Sequence, residues 1–172
     1  MKSDAANRGL ILLNEAWSWR AHCSLTQGVK TMSHASSSNF LHAAEQAQQW
    51  ANELAADLGW PEHRAHRLLK AVLPTLRDWL SPEESADLSS QLPELIRGIY
   101  FEGWNPATSP AVAREKREFV LRVAETFGHD SSINLDEAIS AVFSLLDRHL
   151  SHGEIVQVRN SMRKSLRRLW PE

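Results

Sequence analysis

The 172-residue sequence predicts an all-α protein, two tandem four-helix units packed together and preceded by an irregular N-terminal tail. Three observations carry that expectation. Apolar residues return at steps of three and four from residue 40 onward, the period of a helix with one buried face. Helix-start and helix-stop residues punctuate those stretches at regular places. The pattern then repeats: Trp50, Leu54, Leu58 and Gly59 return 69 positions later as Phe119, Val123, Phe127 and Gly128.

Residues 1–38 show no sustained period, and Ser33-His34-Ala35-Ser36-Ser37-Ser38 has the small polar residues of solvated coil, so this stretch is expected to be tail and linker. Met32 stands just before it and is an alternative start to Met1. The first repeat is expected over 39–104. Its first helix carries Phe40, Ala43, Ala47, Trp50, Leu54 and Leu58 on one stripe and stops at Gly59. Pro61 opens a second helix, with Leu68, Leu69, Val72, Leu76, Trp79 and Leu80 on its stripe and a kink expected at Pro74. Ser81-Pro82-Glu83-Glu84 is a capping box that starts a third. Leu92-Pro93 is a corner, beyond which a fourth carries Leu95, Ile96, Ile99 and Tyr100.

A linker is expected over 105–113 and the second repeat over 114–172. After a one-residue insertion the offset becomes 70, and Lys70-Ala71-Val72-Leu73 aligns with Ser140-Ala141-Val142-Phe143. Ser81 and Glu84 match Ser151 and Glu154, which predicts a second capping box. Leu88, Leu92, Ile96, Ile99 and Tyr100 match Val158, Met162, Leu166, Leu169 and Trp170. A unit of roughly 60 residues shields too little apolar surface to stand comfortably alone, so the copies are expected to close on each other.

Bulk properties bound the function. A formal net charge of −2 and a pI near 6.4 disfavour whole-chain attraction to nucleic acid or anionic lipid. The single cysteine, Cys23, leaves no internal disulfide and fits a reducing, cytoplasmic setting. The longest apolar run near the start, Leu10-Ile11-Leu12-Leu13, is far short of a signal peptide or a membrane span, so no membrane association is expected. Seven tryptophans stand against one tyrosine, and Trp17, Trp50, Trp60, Trp79, Trp104 and Trp170 sit beside apolar residues or at segment ends, which marks most of them as packing residues.

The segment Gln91-Leu92-Pro93-Glu94-Leu95-Ile96-Arg97-Gly98-Ile99-Tyr100-Phe101-Glu102-Gly103-Trp104 is the most distinctive in the chain. With Ala71-Val72-Leu73, Leu76-Arg77, Leu80-Ser81-Pro82-Glu83-Glu84-Ser85-Ala86 and the closing Leu169-Trp170-Pro171-Glu172, it resembles the bacterial family called domain of unknown function 2267. The resemblance covers about 40–172. It implies a tandem helical fold and a bacterial origin, and it brings no reaction, ligand or catalytic residue. Pro74 and the insertion Asp130-Ser131-Ser132-Ile133 depart from the family pattern.

Candidate chemistry is sparse. His63 and His66 have a spacing that two metal ligands on one helix can use, but Arg64, Arg67 and Lys70 surround them with positive charge. His149, His152 and Glu154 form a looser triplet in which Glu154 is expected to cap a helix. No metal, cofactor or catalytic residue is expected, since no nucleophile stands with a base and Glu83-Glu84 and Asp136-Glu137 are helix-start acids. Two surfaces remain. Arg97, Tyr100, Glu102 and Trp104 flank the boundary between copies and either line an inter-repeat groove or bury the joint. Arg159, Arg163, Lys164, Arg167 and Arg168 form a basic run over the last two helices, with 159, 163 and 167 at helical spacing, either a partner-binding face or a solvated terminus.

The copies also differ in charge. Residues 44–104 hold ten acids and five bases, net −5, and residues 114–172 hold ten bases and nine acids, net +1. Self-association of acidic half with basic end is therefore a further expectation. The sequence as a whole predicts a non-enzymatic protein that binds another protein. Nucleic-acid binding through the basic helices is the alternative, and an unrecognised enzyme comes third.

Overall fold

A computed structural model describes residues 32–111, 115–128 and 132–170, with side chains from residue 37 onward. The described residues hold eight α-helices and no strand: α1 (Met32–Leu58), α2 (Glu62–Trp79), α3 (Pro82–Ser90), α4 (Glu94–Phe101), α5 (Lys116–Phe127), α6 (Leu135–His149), α7 (His152–Ser161) and α8 (Lys164–Arg167). A single 3₁₀ turn, Pro106–Thr108, lies between α4 and α5. The fold is all-α, as the apolar period predicts.

Residues 37–172 form one compact unit. Its centre is α2, which touches α4, α5 and α6, while α3 meets α7. The reason is composition: Ala65, Leu68, Leu69, Ala71, Val72 and Leu73 are all buried, so α2 presents a wide apolar stripe to its neighbours and keeps the strip of His66, Arg67 and Lys70 in solvent. Pro74 does not end the helix, which runs on to Trp79. Thr75 turns its hydroxyl onto Ala71 O at 2.8 Å, one residue beyond the carbonyl that the missing Pro74 amide leaves.

The rings of the first half seat on the second. Trp50 stacks on His149 with centroids 4.8 Å apart, Trp60 stacks on Phe127 at 5.9 Å, and Trp79 meets Phe119 edge-on at 5.4 Å. Arg67 adds a polar bond along the same seam, donating from Nη2 to Phe127 O at 2.5 Å. Phe127 is the last residue of α5, so its carbonyl has no partner inside the helix. One continuous cluster of buried apolar residues results, running from Trp50 to Trp170.

Two local expectations change. Helix α1 begins at Met32, so 32–38 are helical where coil was expected; serine and alanine oppose helix only weakly, and propagation from a packed segment is cheap once nucleation is paid. Residues 1–31 of the expected tail, with Trp17, Cys23 and the apolar run at 10–13, lie outside the described residues, as do 130 and 131 of the insertion and 112 and 113 of the linker. The second change is at the second capping box. At α3 both halves form, with Ser81 Oγ accepting from Glu84 N at 3.2 Å and Glu84 accepting from Ser81 N at 3.0 Å. At α7, Ser151 Oγ accepts from Glu154 N at 3.4 Å, but the Ser151 amide goes to Gln91 Oε1 at 2.9 Å. A side chain from the other half has displaced the glutamate.

Helix α1 ends as expected: Gly59 has φ +64°, a conformation that a side chain resists.

The Trp79–Phe119 contact gives a direct test of the seam. Trp79→Ala is expected to lower unfolding free energy by about 3–5 kcal/mol, the cost of deleting a large buried ring, with the midpoint of urea denaturation as the readout.

Candidate functional site

A groove of about 490 Å³ opens between α1, α2 and α4. Its α1 wall is made of Ala44, Ala47, Gln48 and Ala51, residues four and three apart on one helix face. Glu62 and His66 form the α2 wall. Leu95, Gly98, Ile99 and Glu102 line it from α4. The lining is mainly apolar, and Ala44, Ala47, Ala51 and Gly98 are small, so the helices leave a trough that no described residue fills. Its volume falls in the range of small-ligand and helix-docking sites.

Two residues expected in the core stand at this end of the molecule in solvent. Leu95 is 46% exposed and Phe40 is 72% exposed. Phe40 continues the apolar stripe of α1 beyond the last buried position, Ala43, and stays exposed among the described residues. Leu95 precedes Ile96 by one residue, about 100° around α4, and points away from the core that Ile96 and Tyr100 enter. Leu41, 64% exposed, adds to the same apolar end.

Gly98 is the unusual residue of the groove. It sits in the interior of α4, where glycine costs about 1 kcal/mol relative to alanine. A β-carbon built there meets nothing within 4 Å. Neither its backbone conformation nor its packing requires a glycine, and what the missing side chain leaves is open groove.

Of the four boundary residues, Tyr100 is buried and α4 holds the other three apart. Arg97 reaches back across the Leu92-Pro93 corner, donating from Nε to Ser89 O at 2.8 Å and from Nη2 to Leu92 O at 3.0 Å. These carbonyls end α3, so the guanidinium serves as a helix C-cap. Tyr100 packs against Phe101, and its hydroxyl has no hydrogen-bond partner among the described residues. Burial pushes its phenol pKa well up against the smaller pull of Ser85 and Arg77. Glu102 is exposed and pairs with Lys70 at 3.1 Å. Trp104 is half-buried against Phe101 and donates Nε1 to Ser109 Oγ at 3.2 Å. Only Glu102 of the four touches the groove.

The basic run does not form one helical line. A corner at Met162-Arg163 separates α7 from α8, leaving Arg159 on the first and Arg167 on the second, with Arg163 at the N-cap between them. Arg163 binds Glu115 Oε1 at 2.5 Å. Arg167 donates from Nε to Met162 O at 2.9 Å and from Nη2 to Asn160 O at 2.6 Å. Seventy positions after Arg97, it performs the same C-capping task. Lys164 and Arg168 are exposed and Arg159 is half-buried.

His63 and His66 are both exposed. Among the described residues no group of three or more His, Cys, Asp or Glu side chains is placed to hold a metal ion. None of the described helices is long and apolar enough to cross a membrane.

Two carboxylates at the joints have opposite electrostatics. Glu53 of α1 meets the end of α6, with His149 Nε2 at 2.7 Å and Arg148 Nε at 3.8 Å. Arg148 also binds Asp57 at 2.6 Å. Partial burial pushes the Glu53 pKa up, but hydrogen bonds from His149 and Gln49, with the charges of His149 and Arg148, hold it below its ordinary value. Glu154, released from its cap, lies by Gln91 Nε2 at 3.4 Å with its other oxygen buried and unpartnered. Burial first, then Asp87 and Glu84, push its pKa up.

The model of the family described as uncharacterized conserved protein (DUF2267) matches residues 47–169. This chain is a DUF2267 protein. The match begins inside α1 and ends beside Trp170, so it takes in every groove residue except Ala44. No curated protein is detectably similar to this DUF2267 chain.

Sequence reasoning missed the groove because four of its lining residues, Ala44, Ala47, Ala51 and Gly98, read as spacers within an apolar stripe. The available signal was Gly98 itself, a helix-interior glycine in the most distinctive segment of the chain.

The two joint carboxylates predict opposite responses to pH. The Glu53 contribution is present above the unfolded carboxyl pKa and is lost as pH falls through the lower folded value. The Glu154 penalty is absent below the unfolded pKa and complete above the raised folded one. Thermal unfolding should therefore show Glu53→Gln destabilising and Glu154→Gln stabilising at about pH 7, with both differences shrinking toward zero by about pH 3.

Proposed function

We propose that this DUF2267 protein is a non-enzymatic binding module of the bacterial cytoplasm that takes another protein into the α1–α2–α4 groove. The observation that carries the reading is Gly98: a helix-interior glycine, unfavourable for α4 and demanded by no neighbour, keeps a mainly apolar trough open. The exposed Leu95 in the groove, and the exposed Phe40 and Leu41 one turn before its α1 wall, support it, since exposed apolar side chains mark protein-binding sites. The lone cysteine favours a reducing compartment.

The alternative through the basic C-terminal helices has less support. Arg163 and Arg167 are occupied within the chain, and a phosphate would have to compete with Glu115 and with helix-end carbonyls.

Photo-crosslinking in living cells tests the proposal. A crosslinking side chain at position 95 should give discrete protein adducts that Gly98→Met abolishes, and one at the exposed position 157 should not. Equal adducts at both positions, none at 95, or adducts at 95 removed by nuclease would overturn it.

A further inference from the structure

We infer that the occupant of the groove is a cationic amphipathic helix, an inference that rests on the groove being a protein-binding site. The five basic side chains of residues 44–104 are all engaged. Arg64 lies over the Trp60 ring with its guanidinium carbon 4.5 Å from the centroid. Arg67 is held by Phe127 O, and Lys70 by Glu102 at 3.1 Å. Arg77 is buried, donating to Tyr100 O at 2.7 Å and to Glu102 O at 2.9 Å while pairing with Asp78. Arg97 caps α3.

The acids around the groove are not matched in this way. Glu62 and Glu102 line it, and exposed Glu45 and Glu94 stand beside the lining residues Ala44 and Leu95 in their helices. Among the described residues Glu102 pairs with a lysine and Glu45 with exposed His42 at 3.9 Å. The helix dipoles of α2 and α4 offset part of the charge of Glu62 and Glu94, each in a first turn, and leave the outward-facing rim negative. An apolar floor under an acidic rim fits a helix with one apolar stripe and lysine or arginine on both flanks. The open space at Gly98, where a built β-carbon meets nothing within 4 Å, would receive an apolar side chain from the centre of that stripe.

The probe is a fluorescent peptide of about 18 residues with leucines at helical spacing and lysines elsewhere, set against the same peptide carrying glutamates, both measured by anisotropy with the full chain. The lysine peptide should bind at least about tenfold more tightly than the glutamate peptide, and raised salt should narrow the gap. Gly98→Met should weaken binding at least about tenfold. Gly98→Ala should raise the thermal midpoint while weakening binding less, which separates blockage from misfolding. Glu62→Lys with Glu94→Lys should reverse the peptide preference.

If the glutamate peptide binds as well or better and Gly98→Met still blocks it, the cationic inference fails and the groove reading stands. If neither peptide responds to Gly98→Met, both fail. If sedimentation shows the chain self-associating, and Gly98→Met abolishes it without affecting either peptide, the occupant is a second copy and the inference is overturned.

Discussion

The structure depends on the burial of three tryptophan faces from one half against the other. Trp50, Trp60 and Trp79 each stand over a ring of the C-terminal half: His149, Phe127 and Phe119. Each half has short helices, and α2 buries a wide apolar stripe while His66, Arg67 and Lys70 keep one strip of it in solvent. Such a helix is stable only when covered on several sides, and α5 and α6 supply the cover that α4 cannot. The seam therefore acts as the middle of the core.

Polar groups at the seam follow from this closure. Once α5 lies on α2, the carbonyl that ends α5 needs a donor, and Arg67 is within reach. Once α7 lies on α3, Gln91 reaches the α7 N-terminus and takes the Ser151 amide, which leaves Glu154 half-buried near Glu84 and Asp87. A favourable cross-half bond thus coexists with a carboxylate held against its preferred ionisation. At the α1–α6 joint the signs are favourable throughout, with Glu53 and Asp57 facing Arg148 and His149.

Arg97 and Arg167 show how one residue type can mislead a reading by sequence. Both lie one turn beyond a helix corner, and each bends back to hold carbonyls at the end of the preceding helix. In the sequence, Arg97 marks a candidate groove and Arg167 a candidate basic face. Their shared position seventy residues apart was visible, but the shared task was not, because it needs the direction of the chain after the corner. The groove was hidden for a related reason. Ala44, Ala51 and Gly98 have no side-chain signal that separates a filled position from an empty one, and only the spacing of three helices leaves the volume between them.

The sequence by itself determined the helices: apolar period, Gly59, Pro61, Ser81 and Pro93 set where most of them start and stop, since these are local backbone preferences with few rivals. It also determined which half is acidic. Tertiary structure decided which charges are paired within the fold and which apolar residues stay wet. Arg77 is consumed inside the fold and Leu95 is left outside it, and neither outcome follows from residue type or spacing. Helix geometry acts over one turn, whereas burial depends on what packs opposite, and that is fixed only when α2 finds both its neighbours.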